Sequence, residues 1–153
     1  MLYSFLIEIT LLLLRVVALF SKKIAHFLDV RINILNTIQE KTNPSDRVLW
    51  FHCASLGEFE QARSLIVAAK KEYPNHKIVL TFFSPSGYEV QKKYSLADVV
   101  TYLPLDRKKS IKKFIKVLQP EALFLIKYEF WPNLIKVVKS QNIPVFSISS
   151  IFR

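Results

Sequence analysis

Residues 48–60, VLWFHCASLGEFE, set a histidine, a cysteine, a serine, a glycine and a glutamate in close succession behind an apolar run. A carboxylate placed beside a ligand can take the proton from an attacking hydroxyl. Ala54, Ser55 and Gly57 are small enough to let a ligand approach the backbone. Val48, Leu49, Trp50 and Phe51 favour a buried strand. The stretch therefore reads as strand, small-residue turn and helix, with Glu58 at the helix mouth. Ligands of open parallel sheets bind beyond the carboxyl ends of the strands, which is where this turn falls. A structural reading stands beside the chemical one. Ser55-Leu56-Gly57-Glu58 has the S-x-x-E spacing of a capping box. His52 at a strand end suits a hydrogen-bonded structural histidine as well as a base. Cys53 has no activating partner in the sequence and reads as a small core residue.

The elements that must position these residues follow from the apolar pattern. Strands are expected at 48–52, 78–83, 99–103, 122–126 and 145–148. Helices are expected at 58–72, 87–93, 108–118 and 132–140. Continuous apolar strands alternating with amphipathic helices predict an α/β fold, a Rossmann-like parallel sheet with helices on both faces. Pro120 and Pro144 each stand just before a strand, where a missing N–H is tolerated. All loops that follow strands then share one edge. They carry Ser55, Gly57 and Glu58; Ser84, Ser86 and Gly87; Pro104 and Asp106; Lys127, Glu129, Trp131 and Asn133; and Ser149, Ser150 and Arg153. Ser86-Gly87-Tyr88-Glu89 is a second S-x-x-E, with the same two readings. A helix start flanked by Gly and Ser also binds anions. Trp131-Pro132 has a packing account too, since proline is common in a first helical turn.

Composition narrows the partners without choosing one. The 153 residues carry a formal net charge of +10 and are 51% hydrophobic, with a mean hydropathy of +0.23 and a pI near 9.8. Such a balance favours anionic partners. Lys108, Lys109, Lys112, Lys113 and Lys116 form a basic helix face, either solvated or drawn to an anionic bilayer. No nucleic-acid-binding signature accompanies the charge, so no nucleic-acid partner is expected. The single cysteine excludes an intrachain disulfide. No His/Cys/carboxylate cluster has metal-ligand spacing, and no metal is expected. The only glycines, Gly57 and Gly87, form neither G-x-G-x-x-G nor a P-loop.

Residues 2–20 are almost all apolar, interrupted by Glu8 and Arg15. A signal peptide is disfavoured, because no basic residue precedes the run and no small-x-small site follows. Spanning by length is marginal, at roughly 28 Å against about 30 Å of hydrocarbon. The apolar side chains contribute about −4 to −8 kcal/mol, and Glu8 with Arg15 cost roughly 5 to 7 kcal/mol. The expectation is an anchor helix over 1–22, spanning marginally or lying in the interface, with a buried soluble helix as the alternative. Lys22, Lys23 and Arg31 follow the run, which places the domain beyond it on the cytoplasmic side. Residues 23–47 read as a helical or irregular tether ending at Asn43-Pro44, and 48–153 as the Rossmann-like domain.

Four stretches together carry a family resemblance. WFHCASLGEFEQARSLI is similar to a W-[IV]-H-[AC]-x-S-[VL]-G-E segment, and TFFSPSGYE to T-x-[TF]-[ST]-[PT]-[ST]-G. YLPLD resembles Y-L-P-x-D, and KYEFWPNLI resembles E-x-E-x-W-P-N-L-I. In order and spacing the chain resembles the N-terminal part of bacterial lipid A Kdo (3-deoxy-D-manno-octulosonic acid) transferases. The resemblance implies a GT-B glycosyltransferase of two Rossmann-like domains that transfers Kdo from CMP-Kdo to a lipid A precursor without a metal. It implies work at the cytoplasmic face of the inner membrane, with anionic membrane lipids as partners. It places the general base on Glu58. It makes Ser55, Gly57, Ser84, Ser86, Gly87, Glu129, Trp131, Asn133 and Arg153 the expected substrate-binding residues. This chain would supply the acceptor side only, with the donor domain outside it, and would not turn over alone. Another GT-B transferase, or an inactive membrane-tethered fragment, is the alternative. Lys127 departs from the pattern, standing where many members have the first Glu of E-x-E.

Overall fold

The computed structural model describes residues 2–149. Seven helices and five strands follow one another along them. Three helices come first: α1 (Leu2–Ala18), α2 (Lys22–Asp29) and α3 (Ile34–Gln39). Then strands and helices alternate as β1 (Val48–Cys53), α4 (Leu56–Glu72), β2 (Lys77–Phe82), α5 (Pro85–Gln91), β3 (Val99–Tyr102), α6 (Lys108–Leu118), β4 (Pro120–Ile126), α7 (Pro132–Ser140) and β5 (Val145–Ile148). The expected bounds of α6, α7 and β5 coincide with those found. All four strand pairs are parallel.

Strand order is β3-β2-β1-β4-β5. The chain winds outward from β1 to β3, then returns to the other side of β1 and winds outward again. The order therefore reverses between β1 and β4, and a crevice opens beyond the carboxyl ends of strands at such a point. Pro120, the first residue of β4, sits where the pairing with β1 shifts register between Val48 and Leu49. A residue without an N–H fits that irregular start.

The central strand explains why the run 48–53 is apolar throughout. Its side chains alternate between two cores, one on each face. Val48 and Trp50 join Ile38, Phe114, Leu123 and Leu134. Leu49, Phe51 and Cys53 join Phe59, Ile66 and Phe82. Every residue of β1 is buried. The α6 face bearing Ile111, Phe114, Ile115 and Leu118 is sealed against the sheet, which leaves its lysines on the solvent side.

The N-terminal stretch overturns one arm of the anchor expectation, the spanning one, and the expectation of a tether outside the domain. Among the described residues no helix is long and apolar enough to cross a membrane. The 17 residues of α1 reach about 25 Å, short of about 30 Å of hydrocarbon. Ser4, Glu8, Leu11 and Arg15 recur at helical spacing and mark a stripe toward the domain. The Ser4 hydroxyl donates to Asn133 Oδ1 at 2.7 Å. Glu8 pairs with Arg107 at 2.6 Å, and Leu11 is buried. Glu8, one of the two charges that make the run a poor spanning helix, is also one of its docking groups. Leu2, Phe5, Leu6, Leu12, Leu13, Val16 and Val17 remain exposed on the outside.

The stretch expected as a tether is built into the domain. It breaks at 30–33 into α2 and α3, and Ile34 and Ile38 enter the core. Arg31 fastens it there. Its guanidinium donates to the carbonyls of Phe27, Phe83 and Leu103 and lies over the rings of Phe27, Phe83 and Tyr102. Burial pushes the Arg31 pKa down to about 10.

Candidate functional site

Four of the turns that follow strands meet on one rim. The Ser84 amide donates to the Ala54 carbonyl at 2.8 Å, joining the turns after β1 and β2. The Lys127 amide donates to Ile148 O at 2.8 Å, joining the ends of β4 and β5. Glu58 and Glu129 face the crevice from its two banks.

Glu58 lies in the first turn of α4. The expected capping box is not formed in full, because the Ser55 side chain makes no hydrogen bond to a helix amide. Its hydroxyl donates to Glu58 Oε2 instead. Across the crevice, Lys127 Nζ stands 3.8 Å from Glu58 Oε1. The Ser55 bond holds the Glu58 carboxyl below the usual range. Partial burial opposes this, while the Glu58 and Ser55 amides and Lys127 reinforce it. The side chain keeps 20% exposure, so it is neither sealed nor freely solvated. Lys127 reaches it from a backbone with φ 62°, in the left-handed region a lysine rarely adopts. Such an outlier at a cleft marks a conformation the surroundings impose.

Glu129 is clamped from the other side. Its Oε2 accepts from the Trp131 indole at 2.8 Å and lies 3.4 Å from His52 Nε2. Burial acts to raise its pKa, but the hydrogen bond and charge of His52, helped by Trp131, bring it below the ordinary value. A carboxylate only accepts, so His52 Nε2 carries the proton. The other ring nitrogen, Nδ1, lies 3.1 Å from the Thr81 carbonyl and 3.0 Å from the Thr81 hydroxyl, which itself donates to Phe51 O at 3.3 Å. That hydroxyl also accepts from Trp50 Nε1 at 2.8 Å. The structural reading of His52 therefore extends into the site, since the buried ring positions Glu129. Trp131 packs on Phe83, with ring centroids 4.8 Å apart. Cys53 is fully buried, and burial pushes its thiol far up, away from a thiolate.

The remaining candidates divide between rim and interior. Ser84, not Ser86, caps α5, its hydroxyl accepting from the Ser86 amide at 3.3 Å. The second S-x-x-E is therefore not a capping box, and Glu89 pairs with Lys92. Gly57 is exposed, and an added Cβ would meet nothing nearer than Ser55 Oγ at 3.9 Å. Gly87 is a packing glycine. A Cβ there would lie 2.3 Å from the Phe82 ring, so ligand access is not its reason. Asn133 likewise faces inward at 1% exposure, donating to Asp106 O and accepting from Ser4. Arg153 lies outside the described residues. Among those residues no three His, Cys, Asp or Glu side chains could share a metal ion.

Asp106 has a role that its loop position alone did not disclose. Buried at 5% exposure, it accepts from the Asn133 and Leu134 amides at 3.1 and 2.8 Å and from the Tyr3 hydroxyl at 2.7 Å. It thus caps α7 and receives α1. Burial raises its pKa against these bonds and, with the Asp106 bond, pushes Tyr3 up to about 12. The only available sequence signal was Asp106 and the α7 start falling on the same predicted edge.

Comparisons with known proteins point to one family. The family model described as 3-Deoxy-D-manno-octulosonic-acid transferase (kdotransferase) matches residues 28–153. A 3-deoxy-D-manno-octulosonic acid transferase from Aquifex aeolicus is 41% identical over 98 residues, 63% of this chain and 27% of that protein. The enzyme of the same name from Haemophilus influenzae is 38% identical over 103 residues, 66% of this chain and 24% of its own length. A bifunctional glycosyltransferase/methyltransferase from Fusobacterium nucleatum is 32% identical over 146 residues, 92% of this chain and 21% of that protein. The chain thus spans about a quarter of the length of these relatives. With the family model covering most of its length, the chain belongs to the 3-deoxy-D-manno-octulosonic-acid transferase family of glycosyltransferases, as its N-terminal domain.

Proposed function

We propose that this domain is the acceptor side of an inverting glycosyltransferase that moves Kdo from CMP-Kdo to a lipid A precursor. The observation that carries the reading is the placing of Glu58 and Glu129 on opposite banks of the β1/β4 crevice. Glu58 is the base. A hydroxyl of the acceptor attacks the anomeric carbon of Kdo, and an O–C bond forms there. The bond from that carbon to the CMP phosphate breaks, and CMP leaves with its electron pair. The hydroxyl proton passes to Glu58. The Ser55 hydroxyl and Lys127 keep Glu58 ionised and aimed. An ionised, weakly basic carboxylate suffices because the hydroxyl becomes acidic as its bond to carbon forms. Among the described residues both side-chain partners of Glu129 reach Oε2, which leaves Oε1 to a hydroxyl of the acceptor. Ser55, Gly57, Ser84 and Ser86 line the near bank, and Trp131 offers a ring beside it.

The α1 helix brings this rim to the bilayer. Its polar stripe is turned to the domain and its exposed apolar face lies in the interface. Lys22, Lys23 and the lysines of α6 face anionic headgroups at the cytoplasmic surface. CMP-Kdo is held mainly by a donor-side half.

The test is transfer of Kdo from CMP-Kdo to a lipid A precursor by the full-length protein. The chain alone gives no transfer, and adding a separately supplied donor-side half gives product. Wild-type turnover by Glu58→Gln in the full-length protein removes that residue from the mechanism. Transfer to a different acceptor class with none to the precursor rejects the substrate assignment.

A further inference from the structure

Away from the rim, a pocket of about 430 Å³ opens between α1, the turn from α2 to α3, and the start of α6. Its size suits a small ligand, for which pockets run from about 300 to 1,000 Å³. Leu11, Leu28, Ile34 and Phe114 line its apolar part. Arg15, Arg31, Arg107 and Lys113 also line it, against a single carboxylate, Asp29. Two of these cations are already engaged, Arg31 on three carbonyls and Arg107 on Glu8. The side chains of Arg15 and Lys113 have no hydrogen bond or ion pair among the described residues. Ile32, 72% exposed, is among the lining residues. None of Ser55, Glu58, Lys127 or Glu129 lines the pocket.

An apolar chamber lined by more cations than carboxylates, with Glu8 the carboxylate whose charge acts on Arg15, fits one kind of occupant, an apolar chain that ends in an anion. We propose that the pocket takes one acyl chain of an anionic glycerophospholipid, its phosphate held between Arg15 and Lys113. The outer face of α1 is apolar and exposed as far as Val16 and Val17, on the helix that carries Leu11 and Arg15. A lipid lying against that face can turn one chain into the pocket. The bound lipid would fasten α1 to α6 as well as to the bilayer. This inference does not depend on sugar transfer, and its test requires no donor.

The probe is lysophosphatidylglycerol, titrated calorimetrically into the full chain below its critical micelle concentration. Lysophosphatidylcholine with the same tail is the control. The expected result is saturable binding of one lipid per chain, about tenfold tighter for the anionic lipid. Arg15→Gln with Lys113→Gln removes that preference. Ser110→Trp, which fills the pocket from α6, abolishes binding of both. Leu12→Ser with Val16→Ser, on the outer face, leaves binding intact, which separates the pocket from adsorption by α1. Non-saturable uptake, equal affinity for the two lipids, or unchanged binding by a folded Ser110→Trp variant each overturns the proposal. If Ser110→Trp fails to fold, the glutamine pair decides alone. Competitive displacement of the probe by a phosphorylated lipid A precursor would also overturn it, because the pocket would then belong to the acceptor.

Discussion

Two places on one edge of the sheet carry nearly the same local chemistry and end in opposite states. At the β1/β4 crevice, Glu58 stands in the first turn of α4 with a hydroxyl and an ammonium group beside it. At the junction of β3 with α7, Asp106 stands against a helix start with a hydroxyl and two amides beside it. The first carboxylate stays partly exposed and its pKa is lowered, with the Ser55 bond as the largest cause. The second is buried and its pKa is raised, with burial as the largest cause. What separates them is closure. Tyr3 and Ser4 of α1 reach the junction, and among the described residues neither bonds to a group at the crevice. A polar residue beyond a strand is therefore not enough to make a site; a crevice must also remain above it.

The sharpest way to break this contrast is to remove one carboxylate from each place. Glu58→Gln should lower kcat of the full-length protein by about 10² to 10⁴-fold while lowering the thermal midpoint only slightly, by the small stability its ionised form contributes. Asp106→Ala should do the reverse. It orphans two buried amides and the Tyr3 hydroxyl, at a cost of about 2–4 kcal/mol in chemical denaturation. If Asp106→Ala abolished turnover at full stability, the junction would belong to the site.

The two glycines extend the contrast to packing. Gly87→Ala drives a methyl into the Phe82 ring and should destabilise by about 1–3 kcal/mol in thermal melts. Gly57→Ala meets open space inside a helix and should stabilise by about 0.5–1 kcal/mol. A large loss at position 57 would show the near bank to be closed.

The smallest effect is on pH. Lys127 is one of the groups holding Glu58 down, so Lys127→Met should move the acidic limb of kcat/KM to higher pH, by less than about one unit. Linkage adds a sign for stability. Glu58, lowered in the fold, contributes stability that is present above its unfolded pKa and lost as pH falls through the folded one. Asp106, raised in the fold, contributes stability that is present below its unfolded pKa and lost as pH rises through the folded one. Denaturation of Ser55→Ala and Asp106→Asn against pH should reveal these opposite slopes.

How much of this was legible in the sequence depended on how local the cause is. The apolar run that begins at Val48 and the amphipathic period of Lys108–Leu118 are local; α6 has the expected bounds, and β1 runs one residue past the expected 48–52, to Cys53. Glu58 and Glu129 fell on one edge because parallel topology requires it. The role of Asp106 was hidden, since its hydroxyl partner lies 103 residues away. The docking of α1 was hidden for the same reason. Glu8 and Arg15 looked like flaws in an anchor helix, because the Arg107 that Glu8 pairs with lies 99 residues away along the chain and the pocket that Arg15 lines is built from several elements; the Ser4 contact with Asn133 on α7 was equally out of view. Ser84 displaced Ser86 as the α5 cap because Pro85 starts the helix two residues earlier than the S-x-x-E spacing implied.

The Thr81 hydroxyl, one residue from the carboxyl end of β2, receives the Trp50 indole and also meets the His52 imidazole. It therefore relays an orientation from the hydrophobic interior to a carboxylate on the turn after β4. Thr81→Val would keep the strand, its volume and the main-chain carbonyl beside Nδ1, yet strip the Trp50 indole of its partner and the imidazole of one of its two, so that the aim of Glu129 would loosen with every crevice residue still in place.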